Sequence, residues 1–210
     1  MNKNKISNII KILSEEYWDA KPALKFSTIY ELLVAVILSA QCTDERVNLV
    51  TSELFKEYNT PSKMLKLTVE ELSKIIAPCG LNNSKAKNII GASQKIVENF
   101  GGEVPSDFND LLSLPGVGRK TADVLIAVAF NGDAIAVDTH VFRVSNRLGI
   151  AKGKTPYEIE KQLMQNIQKD MWSKSHHYLI WHGRKVCKAR NPVCADCVLN
   201  KLCEFKNKNL

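Results

Sequence analysis

Three groups of residues in this chain have the types and spacing for chemistry. The first is Leu114 to Ala122, LPGVGRKTA, where Pro115, Gly116 and Gly118 stand directly before Arg119, Lys120 and an apolar helical run. A P-loop would need four residues between its glycines, a GK[ST] ending and a preceding strand, and all three are missing. What precedes is a short helical segment, Asp107 to Leu112, so the pattern reads helix, tight glycine turn, helix. Such a turn aims consecutive backbone N–H groups outward at a helix N-terminus, where unpaired donors and the positive dipole end attract an anion. Glycine permits both the backbone angles and the close approach. With Gly116, Val117, Gly118, Arg119 and Lys120 together, phosphate is the expected anion, held without reading sequence. The same GVG also serves as a plain connector between two helices.

The second group is Lys120 with Asp138. Asp138 follows the apolar run AIAV and opens the next helix, a position where aspartate commonly acts as nothing more than an N-cap. Reach adds a second reading. A helix from Lys120 to Phe130 advances about 15 Å, and the extended stretch Asn131 to Val137 can return over roughly 20 Å. Asp138 is therefore expected back beside Lys120, an amine and a carboxylate meeting where two helix N-termini converge. A lysine at a helix start is disfavoured as an ammonium by the dipole. Arg119 and desolvation under a ligand push the same way, toward a neutral amine able to form a Schiff base.

The third group is Cys187, Cys194, Cys197 and Cys203, spaced C-x6-C-x2-C-x5-C among lysines and arginines. Four thiolates at this density read as metal ligands, and either a [4Fe–4S] cluster or a structural zinc satisfies them. A single CxxC, where zinc ribbons carry two, leans toward iron. Cys42 and Cys79 lie in apolar helical contexts and read as buried small hydrophobes. His176, His177 and His182 are not needed as ligands and read as surface or core residues. Asn191 to Cys194 faintly resembles half of a zinc-deaminase motif, but the chain has no H-x-E.

The elements that position these groups are helices. Apolar residues recur at helical spacing, as in Ile6, Ile9, Ile10 and Leu13, and no alternating strand pattern persists. The fold class is read as all-α. Helices are expected near Ile6 to Trp18, Thr28 to Ala40, Thr43 to Tyr58, Thr68 to Ala77 and Ser84 to Phe100. More are expected near Asp107 to Leu112, Arg119 to Phe130, Thr139 to Leu148, Pro156 to Gln168 and Ser175 to Val186. Thr68-Val-Glu-Glu71 and Thr155-Pro-Tyr-Glu158 read as capping boxes. Connectors are short and carry Gly or Pro, with no flexible linker, repeat or low-complexity segment.

With 45% hydrophobic residues, the 210-residue chain can bury a substantial core. The net charge of +7 favours a polyanionic partner. From Arg184 to Leu210 there are seven basic residues and two acids, 7 − 2 = +5, so the C-terminal surface is expected to be electropositive. Lys11, Glu15 and Glu16 interrupt the N-terminal apolar run too early for a signal peptide. No apolar stretch reaches the roughly 20 residues that span a bilayer. A cytoplasmic protein with reduced or metal-bound thiols is expected.

Together, LPGVGRKTA, AVDTHVFRV and the cysteine tetrad resemble the endonuclease III-type DNA glycosylases of the helix-hairpin-helix superfamily. The resemblance is nearly full length and includes LSAQCTD at Leu38 to Asp44, GLNNSKA at Gly80 to Ala86 and HGRKVC at His182 to Cys187. It implies two helical domains with a DNA-binding cleft between them. Residues 22–132 would form a six-helix domain holding the hairpin; residues 1–21 and 133–210 would form the domain with the cluster. The four cysteines would bind a [4Fe–4S] cluster, shaping a loop from which Lys188 and Arg190 meet phosphates.

For chemistry the resemblance implies Lys120 as nucleophile and Asp138 as its acidic partner. A damaged base flipped from double-stranded DNA would be displaced by attack on the sugar C1′, and the imine would permit β-elimination. The substrates would be oxidised pyrimidines or abasic sites, and the enzyme a monomer. Residues matching Gln41 and Leu81 fill the gap left by the flipped nucleotide; taken alone, Leu81 also suits a helix-cap contact. His140 and Arg143 would join the DNA contacts, and Ser39 and Asp44 match site-lining positions. The family often has Asn where this chain has Asp123, a carboxylate that would raise the lysine's pKa against the dipole. A monofunctional mismatch glycosylase is disfavoured because such relatives lack lysine at this position; a noncatalytic DNA-binding module is the alternative from another class.

Overall fold

The computed structural model describes residues 3–130 and 135–210. Part of the expected return stretch Asn131 to Val137 lies outside the described residues, as does the expected domain boundary at 132/133. The described residues are all-helical, with no strand among them. The helices are α1 (Lys3–Glu16), α2 (Ile29–Ser39), α3 (Asp44–Glu57), α4 (Pro61–Met64), α5 (Val69–Ile75) and α6 (Asn82–Phe100). They continue with α7 (Phe108–Leu112), α8 (Arg119–Ala129), α9 (Thr139–Leu148), α10 (Pro156–Asn166) and α11 (Trp172–Lys185). Three of the single-turn pieces, α4 and the 3-10 turns Ala77–Cys79 and Lys169–Met171, are absent from the sequence expectation because one turn is too short to show a period. The chain divides into two compact units, Pro22–Phe130 and Met1–Lys21 with Asn131–Leu210.

In the first unit α2 is apolar nearly all round, which forces it to the centre. Leu32, Leu33, Val34, Ala35 and Leu38 are buried on it, and α3, α6 and α8 pack against it. Threonine caps set the starts of several helices. At Thr68 the box is complete: the hydroxyl accepts from Glu71 N–H and Glu71 accepts from Thr68 N–H. The box expected at Thr155 is only half formed. Its hydroxyl accepts from Glu158 N–H, but Glu158 Oε2 accepts from Lys154 N–H at 2.7 Å, one residue upstream of the cap. Gly153 allows this, since Glu158 lies 2.8 Å from where a Cβ on that glycine would stand.

In the second unit α1 buries Ile6, Ile9, Ile10 and Leu13 on one face, packing against α11, while α9 packs on α10 and α11. The C-terminal segment is tied back by Glu204. Its carboxylate pairs with Lys5 at 2.9 Å and Lys152 at 2.7 Å, and its N–H donates to Arg147 O. Hydrogen bonds from those two lysines hold the carboxyl well below the usual range, at about 2. Gly149 ends α9 at φ +76 directly against this carboxylate, where any side chain would collide. Among the described residues no helix is long and apolar enough to cross a membrane.

Candidate functional site

The glycine turn is a hairpin seated on α6. Leu114 and Val117 are buried and anchor it from within, and Val117 N–H donates to Leu114 O at 3.1 Å. Pro115 fits over Gly91, whose added Cβ would lie 3.2 Å from the ring. Gly116 has φ +78 and lies so close to α6 that an added Cβ would meet Asn88 Cβ at 2.7 Å. Lys95 reaches across from α6 to Ser113 O at 2.9 Å. The glycine is thus required on two grounds, angle and proximity.

Beyond the turn, Gly118 is the N-cap of α8 and supplies no side-chain cap. The first N–H groups of this helix have no side-chain acceptor from the cap, and they point from an exposed Gly118, Arg119 and Lys120. That is the donor arrangement an anion needs. Arg119 lies over the Phe108 ring at 4.9 Å, so α7 aims it. Asp123, one turn into α8, is buried.

Gln41 and Leu81 occupy two of the three described non-glycine positions with positive φ, at 54° and 49°. Both are exposed, Leu81 by 56% of its surface. A left-handed backbone costs a bulky residue roughly 1–2 kcal/mol, and such strain concentrates where a side chain must be presented. The cap contact that Leu81 also suited is not what its exposure describes. Beneath the turns lies a buried lysine: Lys85 Nζ donates to Leu38 O at 2.8 Å and to Cys79 O at 2.9 Å, binding the two segments together. Burial pushes its pKa down.

In the other unit Asp138 is half-buried and caps α9, its Oδ1 accepting from His140 N–H and Val141 N–H at 2.8 Å each. His140 Nδ1 lies 3.1 Å from Arg143 Nη2, and burial pushes the imidazole pKa down. Arg143 turns inward: Nε donates to Cys187 O, Nη2 to Gly183 O and Nη1 to Thr139 O. Gly183 leaves room for His140, whose Cβ would stand 2.9 Å from an added Cβ. A chain of polar contacts thus leads from Asp138 to the start of the cysteine loop.

The four cysteines line one hollow together with Arg147, His182, Val193 and Phe205. Four thiolates on one zinc, at about 2.3 Å from the metal, would crowd to roughly 4 Å from one another. Among the described residues no three cysteine, histidine or acidic groups gather closely enough to hold a single metal ion. Four thiols around one hollow are the donor set that a [4Fe–4S] cluster takes. Lys188 and Arg190 are exposed on the loop above it.

Two further side chains, Arg147 and His182, shape this loop. Arg147 donates to Lys188 O at 2.7 Å, Ala189 O at 3.2 Å and Cys187 Sγ at 3.4 Å, and lies over the Phe205 ring. His182 is buried between Tyr17, whose hydroxyl is 3.1 Å from Nδ1, and Cys197, whose sulfur is 3.7 Å from Nε2. Burial pushes its pKa down to about 4. The only sequence hint for Arg147 is its i+4 spacing from Arg143 on the face of α9 that also carries Asn146.

Comparison with known proteins agrees with this arrangement. Residues 34–169 match the HhH-GPD superfamily of base excision DNA repair proteins, and residues 187–203 match the iron-sulfur binding domain of endonuclease III. The chain is 49% identical to endonuclease III of Bacillus subtilis, over 99% of this chain and 95% of that one. It is 46% identical to endonuclease III of Escherichia coli strain K12, over 99% of both chains. Its fold superposes with a TM-score of 0.92 on a trapped endonuclease III–DNA covalent intermediate, at 45% identity, covering 97% of this chain and 96% of that one. A thermostable thymine-DNA glycosylase, at 24% identity and a TM-score of 0.86, shares the fold. The chain therefore belongs to the endonuclease III family, the bifunctional DNA glycosylase/AP lyases of base excision repair.

Proposed function

We propose that this enzyme removes oxidised pyrimidines from double-stranded DNA and opens abasic sites, with Lys120 as nucleophile and Asp138 as its acidic partner. The observation that carries the reading is the exposed amine of Lys120 on the first turn of α8, behind a hairpin whose N-terminus offers donors to a phosphate. A covalent endonuclease III–DNA intermediate in a structural relative supports an amine-based route.

Lys120 Nζ attacks C1′, the C1′–N bond breaks and the departing base takes up a proton. Asp138 stabilises positive charge on the sugar and assists the proton transfers, an effect typically of 10²–10⁴-fold. Opening of the ring leaves an imine between Nζ and C1′. Loss of a C2′ proton sends electrons toward the imine, the C3′–O bond breaks, and the strand is cut 3′ to the lesion. Water then releases the lysine. The hairpin backbone of Gly116 and Gly118 with Arg119 holds phosphate, and Gln41 and Leu81 enter the gap left by the flipped nucleotide.

Cys187, Cys194, Cys197 and Cys203 are proposed as ligands of the [4Fe–4S] cluster, which ties the loop so that Lys188 and Arg190 meet DNA. Arg143 and His140 position Asp138 and this loop, their polar groups being engaged within the unit. The two compact units are proposed as the two domains of a monomeric intracellular enzyme.

Borohydride trapping tests the chemistry. Wild type is expected to form a covalent adduct with duplexes carrying an abasic site or an oxidised pyrimidine, and Lys120→Ala and Lys120→Arg to lose it by at least about 10³-fold. A phosphate contact alone would survive in part in the arginine variant. No adduct with any lesion would favour a noncatalytic binding module.

A further inference from the structure

Two side chains bring N–H groups to the sulfurs of the cysteine loop. Arg147 Nη1 lies 3.4 Å from Cys187 Sγ, and His182 Nε2 lies 3.7 Å from Cys197 Sγ. Arg147 also holds the loop carbonyls of Lys188 and Ala189, so its effect on the sulfur cannot be separated from its effect on the loop. His182 is the cleaner case. Its other ring nitrogen, Nδ1, lies 3.1 Å from the Tyr17 hydroxyl, and the two rings meet edge to face with centroids 5.9 Å apart. Tyr17 is 2% exposed and His182 1%, and both belong to the same compact unit as the four cysteines.

The protons in this row follow from the sulfur. A cysteine that ligates iron is a thiolate and has no proton to give. Nε2 of His182 must then be the donor and Cys197 Sγ the acceptor. The neutral imidazole carries one N–H, which leaves Nδ1 as an acceptor. Tyr17 therefore donates its hydroxyl to Nδ1. Burial, followed by the charge of Glu16, pushes the phenol pKa up and keeps that proton in place. The order is fixed from end to end: Tyr17 O–H to His182 Nδ1, and His182 Nε2–H to Cys197 Sγ.

We propose that Tyr17 and His182 are positioning residues that tune the cysteine-bound cluster, Tyr17 by fixing the tautomer and His182 by donating to Cys197 Sγ. This rests on the proposed ligation of a [4Fe–4S] cluster by the four cysteines. A hydrogen bond draws electron density from the sulfur, so the sulfur gives less to iron and the Fe–S bond weakens. It also stabilises whichever oxidation state carries more negative charge, which raises the reduction potential. No proton moves in this row when the charge changes, because the donors are already oriented toward the sulfur.

Resonance Raman of the cluster-loaded protein reads the Fe–S bonds in the resting state, with no electron transfer needed. The double variant Tyr17→Phe/His182→Leu removes the donor without orphaning the hydroxyl, and its Fe–S(Cys) stretching bands are expected to move to higher frequency. Tyr17→Phe alone keeps the ring and loses the fixed tautomer, and is expected to move them by less. His182→Gln keeps an N–H donor at the place of Nε2 and is expected to return them toward wild type. In a mediated redox titration the double variant is expected to shift the reduced-to-oxidised ratio about tenfold toward oxidised at a given potential, a fall of about 59 mV for one electron.

Unchanged bands in the double variant overturn the proposal, as does an equal shift in His182→Gln. Variants that take up no iron overturn it as well, in favour of a purely structural pair. An iron and sulfide assay that finds no [4Fe–4S] cluster in the wild type overturns the ligation itself, and the proposal with it; Lys120 trapping is independent of both.

Discussion

The hairpin and the cysteine loop both present cationic groups from a turn, yet they are built by opposite means. The hairpin is held by apolar anchors and by backbone contact with α6: Leu114 and Val117 inside, Pro115 over Gly91, Gly116 against Asn88. The cysteine loop has one fully buried apolar residue, Leu199, and is held by Arg147 and Arg143 and, as proposed, by ligation of its four sulfurs. A helix-backed turn shapes itself when the chain collapses. A loop without a core needs ligation, and its geometry is conditional on what binds there.

The largest expected effect breaks the second region and spares the first. Cys194→Ala is expected to abolish the cluster absorbance, make residues 187–210 protease-sensitive and weaken DNA binding on the order of tenfold through loss of loop contacts to phosphate. The peptides of α2–α8 are expected to keep their protection, which limited proteolysis with peptide mapping checks.

Acid distinguishes the regions next, because all four histidines follow residue 139. Burial, reinforced by His176, pushes His177 down to about 4, against about 6.5 in an unfolded chain. Its folded pKa is depressed, so the native state prefers the neutral ring. The stability it contributes is complete above pH 6.5 and is lost as pH falls toward 4, on the order of 3 kcal/mol. His177→Gln is expected to flatten denaturant-measured stability over that window; an unchanged slope would dismiss the histidine as its origin.

The hairpin is tested by Gly116→Ala. Strain at φ +78 and the push on Asn88 are expected to cost roughly 1–3 kcal/mol. Calorimetry should show a lower Tm and DNA titration a weaker affinity, with cluster absorbance unaltered. Equal damage to the cluster would erase the contrast between the two regions.

The sequence makes the local features legible. Periodicity places α2, α3 and α6 within a residue or two, Asp138 is readable as an N-cap, and the glycine turn and cysteine spacing stand in single short segments. What it hides are contacts between distant residues. Tyr17 meets His182 across 165 positions, and Arg147 reaches the cysteine loop from 40 positions away. Neither has a spacing rule, because packing decides them. Glu158 illustrates the same limit locally: the box pattern at Thr155 is present, and a neighbouring glycine redirects the carboxylate to Lys154.

The left-handed backbones at residues 41 and 81 have a consequence for anyone redesigning this enzyme. Both sites would relax if given glycine, and because Leu81 faces solvent, its truncation forfeits little burial. A screen for thermal robustness would therefore reward Gln41→Gly or Leu81→Gly, and, on the proposed entry of both side chains into DNA, each winner would be a sturdier protein that grips lesions poorly. Durability and repair pull against each other at these two bends.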